Sequence, residues 1–456
     1  MKIQFLILII FITNIFSQRE KLQIANVENP NFKPKELKNL VFAFNHMKHG
    51  ASSPCYGLNG YYGDLFDQQW EGYCELTKKG FLQLFKLGKI YQQRFYTLLN
   101  MSDPDINKIR SYASQANKTL MSSNALFYGM YIDKNTPIEE QITVPVRNFK
   151  NYDGDDLIPI FYYGDSNNCK GWKKMVDVNI IKNNQNENDN RFTKFFNTYK
   201  DVFDSFIFDE RITDGKNSFE KVKLLCNSYI SNYYDERYKN IEIFKNLNYT
   251  EEQFYNLYYD CLDITLYYYI NIEYGGEAKN VPIIILSELI NDMINYMDDA
   301  IDNPHNATKL LNYIGHDSTL AGLQIILDKV FDVPPKLMNF ASNQLFLLYK
   351  VSDNENEVDK NYEVRYFYND QLSLVKNYEE FKEALLNLMK VDHNLQLFCN
   401  GLKPYDYLVL FLLSAIIILF ISIVSVCTYY RNTIFNKKIY MSLKEEPKEK
   451  SVEIKN

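Results

Sequence analysis

The sequence predicts an α/β domain interrupted by a helical cap and followed by one membrane-crossing helix. Three patterns predict it. Short apolar runs rich in Val, Ile and Phe alternate with amphipathic stretches, as in an open sheet covered by helices. Between about Cys169 and Tyr296 that alternation gives way to long, polar, Tyr-rich helical segments. From Leu408 to Tyr430 the chain carries no charge, and at 1.5 Å per residue such a helix reaches about 34 Å, enough for a hydrocarbon core.

Met1 and Lys2 precede the apolar run Phe5–Phe16, then Ser17 and Gln18, the layout of a secretory signal peptide over residues 1–18. Leu40–Phe44 reads as a buried strand that ends at the polar segment His46–Pro54. Leu76, Phe81, Leu84, Gly88, Tyr91, Phe95 and Leu98 recur at helical steps, predicting a helix from near Thr77. Thr119–Tyr131 predicts a second. The cap follows, broken by the Asn-rich stretch 183–190. Leu310–Ile314 reads as a strand, Gly315-His316-Asp317 as a turn and Ser318–Val330 as a helix. Gln344–Val351 and Tyr362–Tyr368 predict a hairpin.

Arg431, Lys437 and Lys438 follow the apolar segment, so the positive-inside rule predicts a type I protein. Its ectodomain would cover 19–405, its membrane helix 407–430 and its cytoplasmic tail 431–456. Of seven cysteines, Cys427 lies in the span. The other six suit an oxidising compartment with up to three disulfides, among 15 possible connectivities. Cys55 and Cys74 are near enough in sequence to close a local loop. Asn100, Asn117, Asn248 and Asn306 begin glycosylation sequons. With 50 Lys and Arg against 57 Asp and Glu, a net charge of −7 and no cationic stripe, the chain argues against a nucleic-acid partner. No Cys-x-x-Cys pair points to zinc.

Two histidine turns could carry chemistry. His49 follows a strand and precedes the small-residue loop Gly50–Pro54, while His316 and Asp317 follow a strand and open a helix. Backbone N–H groups at such turns favour anions. A histidine can act as a nucleophile, and a carboxylic acid can protonate a leaving group.

Together the motifs Lys48-His49-Gly50-Ala51-Ser52-Ser53-Pro54, Leu76-Thr77 with Gly80, Gln83, Leu87 and Gly88, Lys118-Thr119-Leu120-Met121-Ser122-Ser123, and His316-Asp317-Ser318-Thr319-Leu320 resemble the histidine acid phosphatases. Trp70-Glu71-Gly72, Pro145-Val146 and Tyr368-Asn369-Asp370 also match family positions. The resemblance runs from about Leu40 to Cys399. It implies a three-layer α/β/α core of the phosphoglycerate-mutase-like kind and hydrolysis of small phosphomonoesters without metal or cofactor. His49 matches the nucleophile, Asp317 the general acid and His316 the second phosphate-binding histidine. It also implies that Cys169 pairs with Cys399.

At three phosphate-binding positions the family's arginine is replaced, by Lys48, Ser52 and Lys118. Lysine keeps charge but loses the guanidinium fork, and serine loses both. The expected enzyme therefore has reduced or altered activity; the rival expectation is an inactive relative that binds ligands or partners. Arg110, just upstream of the third motif, is a candidate substitute cation, whereas His46 is expected to be structural. A glycan on Asn117 would crowd Lys118. In the tail, Tyr440-Met441-Ser442-Leu443 resembles a tyrosine-based sorting signal for an adaptor. The expected location of the ectodomain is a lysosomal or endosomal lumen or the cell exterior.

Overall fold

The computed structural model describes residues 39–55, 63–102, 104–114, 116–131, 146–148, 170–185, 191–206, 218–351, 362–389 and 404–444. The expected signal peptide, Cys169, Cys399 and residues 445–456 lie outside them. The chain divides into two units, residues 1–399 and 400–456.

The first unit is built on a seven-stranded mixed sheet of order β3-β2-β4-β1-β5-β6-β7. Its strands are β1 (Leu40–Lys48), β2 (Ile109–Ala113), β3 (Val146–Asn148), β4 (Leu310–Gly315), β5 (Asn343–Lys350), β6 (Tyr362–Tyr368) and β7 (Gln371–Asn377). The first four are mutually parallel, and β5, β6 and β7 continue antiparallel from β1. The α/β class and the hairpin follow the sequence expectation.

β1 is four residues longer than the apolar run predicts. His46 sits inside it rather than in the following loop, because the backbone stays paired with β4 as far as Lys48 opposite Gly315. Asn45 and His46, two of the three polar side chains this buries, are satisfied within the core. Asn45 Nδ2 donates to Asn312 Oδ1 at 2.6 Å, and Tyr91 donates to Asn45 Oδ1 at 3.0 Å. His46 Nδ1 bonds Gln344 Oε1 at 2.9 Å.

Alternation along β1 divides the core. Phe42 and Phe44 face one layer, where Phe44 packs on Tyr313 and Phe346 at 5.8 and 5.7 Å; Ala43 and Met47 face the other with Leu345 and Leu347. Helices α1 (Lys78–Arg94) and α2 (Asn117–Tyr131) cover the second face. These two helices meet backbone to backbone: a Cβ on Gly88 would lie 2.0 Å from the Leu126 carbonyl oxygen, and one on Gly129 equally close to that of Phe85.

The cap comprises α3 (Lys170–Gln185), α4 (Arg191–Thr198), α5 (Lys200–Asp204), α6 (Ser218–Tyr234), α7 (Glu242–Asn246) and α8 (Glu251–Tyr268), tied by a Cys226–Cys261 disulfide. The next helix, α9 (Val281–Asp302), straddles the expected cap boundary at 296. It packs on the sheet instead: Tyr296 stacks on Phe42 at 6.5 Å, and Tyr313 donates to Asp292 at 2.6 Å. Helices α10 (Asp317–Phe331) and α11 (Tyr378–Met389) complete that layer.

The second unit contains α12 (Pro404–Lys444). Its stretch Phe411–Asn436, of mean hydropathy 2.7, is long and apolar enough to cross a membrane. The helix outruns the expected span at both ends, so Tyr440 and Leu443 lie on its last turns.

Candidate active site

Because β1 and β4 are parallel neighbours whose last residues are in register, the two histidine turns emerge side by side at the carboxyl ends of the strands, where open α/β sheets place their sites. The His49 N–H donates to the Gly315 carbonyl at 3.1 Å, and the two imidazole rings stand 5.6 Å apart.

The loop after His49 is fixed by contacts that only glycine allows. A Cβ on Gly80 would lie 2.1 Å from the Ala51 carbonyl oxygen, and one on Gly50 would lie 2.6 Å from the Gly80 carbonyl oxygen. Residues 51–54 then pair antiparallel with 74–77: Ser53 N donates to Glu75 O, Cys74 N to Pro54 O and Thr77 N to Ala51 O, each at 2.9 Å. The Cys55–Cys74 disulfide closes this ribbon, as the spacing suggested. Thr77 caps α1 by accepting from Gly80 N. Gln83 accepts from Ala51 N at 3.2 Å and donates to Phe340 O at 3.0 Å. Ser122 Oγ accepts from Gly50 N at 3.0 Å.

His49 is 4% exposed, and its Nδ1 lies 2.7 Å from the Gly50 carbonyl oxygen. A carbonyl can only accept, so Nδ1 carries the proton and Nε2 keeps its lone pair. Burial, reinforced by Lys118, His316 and Lys48, holds the ring well below the usual imidazole range. His316 is depressed to about 3, by burial and then by the same two lysines. Its Nε2 is 2.9 Å from Ser114 Oγ, which in turn meets Thr119 Oγ1 at 2.8 Å.

Lys48 Nζ pairs with Asp317 Oδ1 at 2.5 Å and lies 4.6 Å from the Phe340 ring centroid. Lys118 has no comparable anion: among the described residues its ammonium hydrogen-bonds only Cys55 Sγ, at 3.0 Å. A disulfide sulfur is a weak acceptor. Ser52 is buried and bridges Leu76 through its backbone, adding no charge. The turns thus bring two ammonium groups and two imidazoles against one contacting carboxylate, a largely buried cluster with an excess of positive charge that an anion would balance.

Burial pulls the Lys118 ammonium down to about 8; Lys48 adds to this, and Asp317 and Glu75 oppose it. The unfolded chain therefore binds this proton more readily, and below about pH 8 the burial costs the fold about 3 kcal/mol. Lys118→Met should raise the urea midpoint at pH 7, and that gain should shrink as pH rises from 8 through 10.5. A lower midpoint at pH 7 would show that the ammonium has a stabilising partner after all.

Arg110 does not join the site. It is near the start of β2, roughly 10 Å below the strand's carboxyl end, and its Nη1 donates to the carbonyls of Asn107 and Ile109 at 3.2 Å. His46 also stays out of the pocket but touches its support, its Nε2 lying 3.3 Å from Thr319 Oγ1 in the first turn of α10. Asn117 is exposed, as are Asn100, Asn248 and Asn306. Sequence reasoning missed Ser114 as the partner of His316, and it missed Phe340. The cap's tethers were also unforeseen: Tyr274 donates to Ser318 O at 2.9 Å, and Cys55 N donates to Asn227 Oδ1 at 3.2 Å.

Residues 29–369 match the family model of the histidine phosphatase superfamily (branch 2). The chain is 25% identical to prostatic acid phosphatase of Bos taurus over 341 residues, covering 73% of this chain and 79% of that protein. It is 24% identical to lysosomal acid phosphatase of Xenopus laevis over 334 residues, covering 70% and 68% respectively. Among solved structures, the phytase of Citrobacter braakii superposes with a TM-score of 0.54 at 14% identity, over 77% of this chain and 98% of that one. A Bifidobacterium longum multiple inositol polyphosphate phosphatase gives 0.51 at 12%, over 80% and 95%. At such identities the structural likeness concerns the fold alone.

Proposed function

Since the chain belongs to the histidine phosphatase superfamily, branch 2, we propose that it is a membrane-anchored acid phosphatase that hydrolyses small phosphomonoesters through a phosphohistidine on His49. The observation that carries this is the tethered His49: a neutral imidazole with Nδ1–H held by Gly50 O and Nε2 free to attack, set among buried cations.

In this reading Lys48, Lys118 and His316 hold the phosphoryl oxygens. His49 Nε2 forms a bond to phosphorus as the ester P–O bond breaks, and Asp317 gives its proton to the departing oxygen. Before that step Lys48 must turn from Asp317 toward the phosphate, and the carboxylate it leaves takes up from solvent the proton it later delivers. Water next attacks the phosphohistidine, the N–P bond breaks, its proton returns to Asp317, and orthophosphate leaves. Positioning and charge stabilisation supply most of the rate in phosphoryl transfer. With Ser52 in place of a cation the clamp is weak, which points to modest turnover. The ectodomain faces a lumen or the cell exterior, α12 anchors it, and Tyr440 and Leu443 address the tail to a sorting adaptor.

The full-length chain, incubated in detergent with 32P-labelled aryl phosphate at pH 5 and quenched, should carry an acid-labile, base-stable label on His49. Label on another residue, or turnover without label, would remove the mechanism. The Lys48–Asp317 ion pair favours a second reading, binding without turnover. Orthophosphate binding with neither label nor turnover would establish that one instead.

A further inference from the structure

The loop between α10 and β5 is held in a conformation that the sequence gives no cause to expect. Ala341 adopts φ +57°, a region that side chains with a Cβ rarely enter. It is kept there by two backbone bonds to the nucleophile segment, Ala341 N to His49 O at 3.0 Å and Lys48 N to Ser342 O at 2.9 Å. Three further bonds brace it. Ser342 N donates to Asn339 O at 3.2 Å, Tyr258 of the cap donates to Asn339 Oδ1 at 2.7 Å, and Gln83 takes the Phe340 carbonyl.

What this strained backbone presents is one side chain. The Phe340 ring stands 5.9 Å from the His49 ring and meets the Tyr234 ring in a T-shaped contact at 5.4 Å, with the Lys48 ammonium 4.6 Å from its centroid. Lys48 is 5% exposed, so little water is left to hold the ammonium in place. A lysine has no planar fork to fix its direction. An aromatic face can supply that direction, because the ring quadrupole attracts a desolvated cation.

We infer that Phe340 is a positioning residue: its face holds Lys48 between Asp317 and the incoming phosphate, offsetting the directional bonding that a guanidinium would have given. The inference rests on the phosphate-pocket reading above, and it does not require turnover. As Lys48 leaves Asp317 for a phosphoryl oxygen, the ring takes over the directing role of the carboxylate, so the contact is worth more with phosphate bound than without it.

The test is calorimetric titration of orthophosphate into the full-length chain in detergent, with Phe340→Leu, Phe340→Tyr, Lys48→Met and the Phe340→Leu/Lys48→Met double variant. Phe340→Leu should weaken binding roughly two- to thirtyfold, the span from an exposed to a desolvated cation–π contact. Phe340→Tyr keeps the face and should retain the wild-type constant. In the Lys48→Met background Phe340→Leu should change nothing further. An equal loss in both backgrounds would reduce Phe340 to core packing and overturn the inference, as would a Phe340→Leu constant equal to wild type. If wild type takes no orthophosphate, the pocket reading itself falls and this inference with it. Phe340→Met serves in place of Phe340→Leu should the latter fail to fold.

Discussion

His49→Ala should abolish hydrolysis of every phosphate ester, whereas Asp317→Asn should spare esters whose leaving group needs no proton. The two residues occupy different steps of one displacement. Without the imidazole nothing accepts the phosphoryl group, and the loss is independent of the alcohol. Without the acid the loss depends on the alcohol: 4-nitrophenolate departs as a stable anion, but the alkoxide of glycerol does not. General acid catalysis contributes roughly a hundred- to ten-thousandfold, so kcat for glycerol 2-phosphate should fall by about that factor more than kcat for 4-nitrophenyl phosphate. Asparagine also releases Lys48 from its 2.5 Å ion pair, so KM for both esters should drop as the ammonium turns to the phosphate. Equal losses on the two esters would mean that Asp317 only orients Lys48. Activity surviving in His49→Ala would move the nucleophile elsewhere.

The parts of this site that were legible in the sequence are those encoded locally. Gly50 and Gly80 have a backbone reason to be glycine, Thr77 caps the helix it begins, and Cys55 and Cys74 close the ribbon between them. The parts that were not legible depend on partners far along the chain. His46 reads as a loop residue because it is polar; only Gln344 and Thr319, nearly 300 positions away, make it tolerable inside β1. Ser114 carries no local signal; only His316, some 200 positions away, gives it a role. Arg110 lies at the right distance in sequence but at the wrong end of its strand. Ala341 carries no mark of its left-handed backbone, since alanine of all residues most favours the right-handed helix.

The acid environment in which such an enzyme would work should also be the one that most threatens its fold. His46, fully buried and depressed to about 4 despite the hydrogen bond its Nδ1 makes to Gln344 Oε1, and His316, partly buried and depressed to about 3, are held as neutral rings, and His49 is lowered in the same direction. In the unfolded chain an imidazole gains its proton near pH 6.5. Between pH 6.5 and 4 the unfolded state therefore binds more protons at these sites, and stability declines as pH falls, by about 1.4 kcal/mol per unit for each ring. His46 and His316 together reach about 6 to 7 kcal/mol by pH 4, comparable with the whole stability of an ordinary domain. Asp64, Asp292 and Glu288 act the other way, because burial raises their carboxyls and the folded state then takes protons more readily. The measurement that isolates the histidine is thus a difference. The urea midpoints of wild type and His46→Gln should diverge steadily below pH 6.5, the variant becoming the relatively more stable by about 3 kcal/mol at pH 4. Parallel curves would mean that His46 is protonated in the native state. Orthophosphate should recover part of the stability lost by wild type at low pH. It binds the folded state alone, and its negative charge favours the protonated His316 ring that burial otherwise opposes.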